Sequence, residues 1–268
     1  MTTIVGVQTG KGPIDAVVLG ADTTICYFSG DQLNSTGQNS KFIYSSGAPW
    51  IIAHTGMEGD AYAAFLKRIN GSQKAVQRTT NAIDRLIRCY RKKSPKQFTP
   101  FASLLKDEDD EMPEENASVL LLAASGPNEP SLWKLQGDAN IREVSSRDPV
   151  PYVAVGAGYL YGHAVFSQLG RRLDLNEAVQ HVIYTLKTAQ EERIGGRCTK
   201  QTYSWGYQIA IVTATGVHTT APFNKNQLSE FCACCKVLLF RISSELPARA
   251  TGKCSKTHSC GLLSPALF

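Results

Sequence analysis

The sequence predicts an α+β domain, a four-layer α-β-β-α sandwich with two antiparallel sheets. Its apolar runs fall in separate blocks, in the order strands, two helices, strands, two helices, strands. That order favours antiparallel sheets over a repeated β-α-β unit. Turns marked by glycine and proline separate the β-type runs. Two sheets, each covered by its own helix pair, bury every apolar face that the pattern creates.

The first block opens with Thr2-Thr3-Ile4-Val5-Gly6-Val7-Gln8 and Ala16-Val17-Val18-Leu19-Gly20-Ala21-Asp22, joined across Gly10 to Asp15 as a hairpin. Residues 24–40 read as polar and turn-rich. Lys41-Phe42-Ile43-Tyr44 and Trp50-Ile51-Ile52-Ala53-His54 are short strands, with turn chemistry from Ser45 to Pro49 between them. The glycine-punctuated turn Thr55-Gly56-Met57-Glu58-Gly59-Asp60 leads into a helix from Ala61 to Ile69, capped by Asp60 or Gly59. A second helix fits Ala75 to Arg91, with Ala82, Ile83, Leu86, Ile87 and Tyr90 on one face.

Residues 92–116 interrupt the pattern. They run from a basic start through two prolines to Lys106-Asp107-Glu108-Asp109-Asp110-Glu111-Met112-Pro113-Glu114-Glu115. Such a charge run reads as a solvated loop, or as a docking loop for a basic partner. Strands resume at Ser118 to Ala124, Ser131 to Leu135, Ile141 to Val144 and Tyr152 to Gly158. Two helices follow, Tyr161 to Leu173 and Leu175 to Gln190. The second is opened by Asp174, with Glu177 three residues on as in a capping box. Tyr207 to Ala214 and Gly216 to Thr220 form a closing hairpin.

The chain of 268 residues is long enough for a substantial core, and 43% hydrophobic with 19% charged residues is an ordinary globular balance. The net charge of +5 is mild and shows no stripe interleaved with aromatics, so no nucleic-acid partner is expected. No apolar run approaches the ~18 residues of a membrane span, and no membrane association is expected. The N-terminus lacks a basic region followed by an apolar one, which predicts no signal peptide and a cytoplasmic or nuclear protein with reduced thiols. No disulfide framework is expected from the eight cysteines.

The chemistry begins at the chain start. Removal of Met1 leaves Thr2 with a free α-amino group, whose reference pKa is near ~8. A threonine hydroxyl is a weak nucleophile until an adjacent base takes its proton, and its own N-terminal amine is one such base. The competing reading is an ordinary first strand with nothing catalytic.

Several motifs, taken in order, resemble the proteasome β-subunit family of N-terminal nucleophile hydrolases, which includes the bacterial HslV peptidases. Thr2-Thr3-Ile4-Val5-Gly6-Val7 is similar to the mature start of an active subunit, and Val17 to Asp22 to the family's second strand and its aspartate. Lys41 stands where the family's lysine opens the next strand. His54 to Ala61 is similar to the glycine turn before the first helix, and Val155-Gly156-Ala157-Gly158 to the turn before the third. The resemblance covers about Thr2 to Thr220.

It implies a threonine peptidase domain over residues 1–222 that needs no cofactor or metal, acts on peptides or unfolded proteins, and assembles with related subunits into an oligomeric ring. Thr2 Oγ would attack the peptide carbonyl. Lys41 would lower the pKa of the Thr2 amine by like-charge repulsion, Asp22 would hold Lys41, and the Gly56 N–H would supply the oxyanion hole. Thr23, Thr24 and His54 are the candidate substrate-pocket residues. The sequence departs from the family where Ala157 replaces a serine, and where Gln190 to Gly196 lacks the family's aspartate and serine. Two alternatives therefore stay open: a catalytically inactive structural subunit, and an N-terminal-threonine acyl transferase in which an amine replaces water. Residues 223–268 read as a C-terminal extension. Its Cys232, Cys234, Cys235, Cys254, His258 and Cys260 are potential zinc ligands without a standard paired spacing.

Overall fold

The N-terminal hairpin forms the middle of a sheet. Strand β1 (Thr3–Gln8) pairs antiparallel with β2 (Ala16–Asp22), Ile4 opposite Ala21 and Gln8 opposite Val17. Nearly every residue of both strands is buried, as expected for strands covered on both faces. The structure is a computed structural model that describes residues 2–10, 14–29, 32–38, 40–55, 72–91, 119–126, 129–136, 140–144, 149–156, 158–191, 206–220 and 222–224. Within it, β10 (Tyr152–Gly156) pairs with the free edge of β1, and β11 (Gly206–Thr213) with that of β2. Strands β12 (Gly216–Thr219) and β13 (Phe223–Asn224) both pair with β11. The expected closing hairpin is therefore present, and regular pairing runs two residues past the expected domain end at 222.

The second sheet runs β5 (Phe42–Ile43), β6 (Trp50–Thr55), β7 (Val119–Ala124), β8 (Ser131–Gln136) and β9 (Asn140–Glu143) in sequence order, all antiparallel. Residues 24–40, expected to be turn-rich, instead contain two strands. Strands β3 (Thr24–Ser29) and β4 (Gln32–Gln38) form a separate ladder whose register shifts between Tyr27 and Phe28. The β-branched and aromatic run Thr24-Ile25-Cys26-Tyr27-Phe28 favours extended backbone despite its polar surroundings.

Alternation along the hairpin divides the core. Ile4, Val17, Leu19 and Ala21 share an apolar cluster with Phe42, Ile51, Ala53, Leu121, Ala123 and Leu132 of the second sheet. The opposite face, including Val5, Val7, Ala16 and Val18, clusters with Phe166, Val179, Val182 and Leu186. Those last residues belong to two of the three described helices, α1 (Gln73–Arg91), α2 (Tyr159–Ser167) and α3 (Leu175–Glu191). Helix α1 is fastened to β6 by a hydrogen bond from Trp50 Nε1 to Thr80 Oγ1 (2.9 Å). The architecture is thus an α+β assembly of two antiparallel sheets with three described helices.

Helix α3 starts where the capping box places it. The Glu177 N–H donates to Asp174 Oδ1 (2.8 Å), and the Asp174 N–H donates to Glu177 Oε2 (3.0 Å). Helix α2 differs from expectation, beginning at Tyr159 and ending at Ser167 instead of Leu173. Gln168 is its C-cap, two residues before Gly170, and Leu173 reaches the core from a non-helical segment. The expected helix from Ala61 to Ile69, the acidic run and residues 225–268 lie outside the described residues. No helix among the described residues is long and apolar enough to cross a membrane.

Candidate functional site

The site grows from the open end of the β1–β2 hairpin. One step beyond the Ile4–Ala21 pair, the Thr3 N–H donates to Asp22 Oδ1 at 2.6 Å, so a side-chain carboxylate takes over from the backbone ladder. A charged acceptor makes this a strong bond. It fixes the backbone of the residue directly after Thr2.

The other edge of β1 is held by glycines. Thr3 lies opposite Gly156, whose φ of +82° is a left-handed conformation that side chains disfavour. A Cβ added at Gly156 would stand 1.9 Å from the Thr2 carbonyl oxygen, and one at Gly158 would stand 2.3 Å from Thr3 Oγ1. Only glycine at both positions lets the turn between β10 and α2 close against Thr2 and Thr3. Gly158 is also the N-cap of α2, so the helix begins beside β1.

Lys41 is delivered from the second sheet. Ser40 Oγ donates to Gln208 Oε1 (2.6 Å), and Gln208 sits opposite Ala21, the neighbour of Asp22. Gln208 Nε2 is occupied by the Thr220 carbonyl (3.2 Å), which orients the amide to accept from Ser40. The Lys41 carbonyl accepts the His54 N–H (3.1 Å), continuing the β5–β6 pairing by one residue.

Asp22 is 4% exposed and Lys41 7%. Among the described residues they are the only Asp, Glu, Lys or Arg buried in the core. Asp22 ends β2 and Lys41 directly precedes β5, and burying an uncompensated charge is costly, so each needs polar partners within the fold. His54, also buried, is pushed down to about 3 by its burial and then by the Lys41 charge. It is neutral near pH 7, and the Lys41 field that it feels places that charge in the same interior region.

The predicted residues divide as follows. Thr2, half-buried, and Asp22 meet through the backbone of Thr3, with Gly156 and Gly158 closing the other side. Lys41 and His54 adjoin each other. Thr23 is buried at 1% exposure, its N–H given to the Gly206 carbonyl (2.9 Å) and its hydroxyl without a hydrogen-bond partner among the described residues. Thr24 opens β3, and Gly56 lies outside the described residues. Ser40 and Gln208 were not anticipated. The signal for Gln208 was a single amide inside the apolar run Tyr207 to Val212. Among the described residues no group of three or more His, Cys, Asp or Glu converges as a metal site requires.

No protein-family model matches the chain, and no curated protein matches it.

Proposed function

We propose that the chain is an N-terminal nucleophile hydrolase of the threonine peptidase type, built as a four-layer α-β-β-α sandwich and active once Met1 is removed. The observation that carries this reading is the clamp on Thr2 and Thr3: a buried carboxylate on one side, two side-chain-intolerant glycines on the other. An ordinary first strand needs neither. The layers would run α2 and α3, first sheet, second sheet, α1. The clusters on both faces of the hairpin and the Trp50–Thr80 bond support that order.

In this reading Thr2 Oγ attacks a peptide carbonyl while its proton passes to the Thr2 α-amine. The amine must be neutral to accept it, and the Lys41 ammonium favours that state by like-charge repulsion. Collapse of the tetrahedral intermediate forms an ester on Thr2 and releases the amine half of the substrate, which takes the proton. Water then attacks the ester and restores the hydroxyl. Asp22 compensates Lys41 and anchors the strand, so that Oγ is presented with little conformational freedom. The Gly56 N–H is the proposed oxyanion donor. Peptides or unfolded chains are the proposed substrates, with copies of the chain or related subunits in a ring as partners.

The second reading, an inactive structural subunit, is favoured by Ala157 and Ile194, where the resemblance calls for hydroxyl side chains. Peptidase assays on the processed chain separate the two. The proposal expects activity that Thr2→Ala abolishes and Thr2→Ser partly keeps. It also expects Lys41→Ala to lower kcat/KM by orders of magnitude without unfolding the chain. Processed protein inert towards a broad peptide library would support the scaffold instead.

A further inference from the structure

Helix α1 carries a charge pattern that the chain-wide balance conceals. At about 100° per residue, Lys74, Arg78, Arg85 and Arg88 fall within an arc of roughly 80°. All four are exposed. Gln77 and Asn81, linked by a 2.9 Å hydrogen bond, lie along the same stripe. The buried Thr79 and Ile83, with Thr80 that holds Trp50, occupy the opposite side, so the stripe points away from the sheet. Asp84 is the helix's single acid and lies at the margin of the stripe. None of the four cations has an ion-pair partner among the described residues. Four cations along about 21 Å of one helix face repel one another, which a matching anion line would relieve.

We propose that the basic face of α1 is a docking surface for an extended acidic peptide, and that its occupant is the chain's own run Asp107-Glu108-Asp109-Asp110-Glu111. Charge complementarity selects this segment: five consecutive carboxylates against four cations. Length permits it. Residues 92–106 follow Arg91, and fifteen residues at ~3.3 Å each can double back along a helix about 28 Å long. From Glu111 eight further steps remain to the start of β7 at Val119, about 26 Å of chain to pass around the helix. Five extended acidic residues cover about 16 Å, close to the span of the stripe. The contact lies on the outer face of the helix and is independent of the chemistry proposed for Thr2.

Glutamyl endopeptidase digestion of the intact full-length chain tests this by the rate of cleavage after Glu108 and Glu111. At low salt the wild type should be cut several-fold more slowly than at ~1 M salt, where the screening length falls to about 3 Å. The triple change Arg78→Glu, Arg85→Glu, Arg88→Glu should remove that protection at low salt while leaving the thermal transition in place. Should this variant fail to fold, Asp107→Asn, Asp109→Asn, Asp110→Asn reads the same contact from the other side and should lose protection equally. Carbodiimide coupling should join Lys74 to the acidic run within one chain. Equal cleavage of wild type and variants at both salt concentrations would overturn the proposal. So would coupling found only between isotopically distinct chains, which would assign the stripe to a second copy.

Discussion

The Thr3 amide donates to Asp22 Oδ1 at 2.6 Å, so the acid that ends β2 holds the residue next to the proposed nucleophile. Asp22→Ala strands the part-buried Thr3 N–H. A lost partner of this kind costs about 1–3 kcal/mol. Urea unfolding should show that loss, with Asp22→Asn milder because its amide oxygen still accepts.

Gly156→Ala should be more damaging to function than to folding. Its φ of +82° disfavours any side chain, and the added Cβ would meet the Thr2 carbonyl oxygen at 1.9 Å. Strain of this type costs on the order of 1–3 kcal/mol, relieved by displacing Thr2. The expected outcome is a modest fall in Tm with at least a hundredfold loss in acylation rate, since small misplacements of a nucleophile cost that much. An alanine variant acylated at the wild-type rate would show that Thr2 does not depend on the glycine clamp.

His54 sets a pH dependence of stability. Its folded pKa, about 3, lies below its ordinary 6.5, so between those values the unfolded chain binds the extra proton. Stability from this group is therefore complete above pH 6.5 and is lost as pH falls towards 3. The loss is on the order of a few kcal/mol. Urea midpoints measured from pH 7 to pH 4 should fall less steeply for His54→Gln than for wild type. Parallel curves would contradict the burial of a neutral imidazole there.

The Trp50–Thr80 bond tests whether α1 covers the second sheet. Thr80→Val keeps the shape and removes the acceptor from the fully buried Trp50 indole N–H, at a cost of about 1–3 kcal/mol, and Thr80→Ser should restore most of it. A valine variant as stable as wild type would mean that α1 contributes little to that face.

Local chemistry was legible in the sequence and long-range chemistry was not. The hairpin announced itself through two apolar runs around a turn, and the start of α3 through Asp174 and Glu177, which satisfy each other within one helical turn. Strands β3 and β4 were hidden because Asp31, Gln32, Asn34 and Ser35 dilute the apolar signal that marks a strand. Leu169 and Leu173 keep apolar spacing after α2 has ended, so periodicity alone extends the helix beyond Ser167. For the site, Thr2, Asp22 and Lys41 were singled out through resemblance, but how they are held was not. The Ser40–Gln208 bond joins residues 168 apart in sequence, and no spacing rule reaches that far. The Gly156 and Gly158 contacts with Thr2 and Thr3 likewise depend on β1 and β10 being neighbours, which only the fold supplies.

In the proposed reading Thr2 is a free N-terminal nucleophile. Intact-mass and fragment-ion mass spectrometry after treatment with a threonine-directed peptide electrophile tests it most directly. Wild-type protein should lack Met1 and carry one adduct per chain, located on Thr2, and Thr2→Ala should carry none. A processed wild-type chain that stays unmodified, or an adduct that persists in Thr2→Ala, would contradict it.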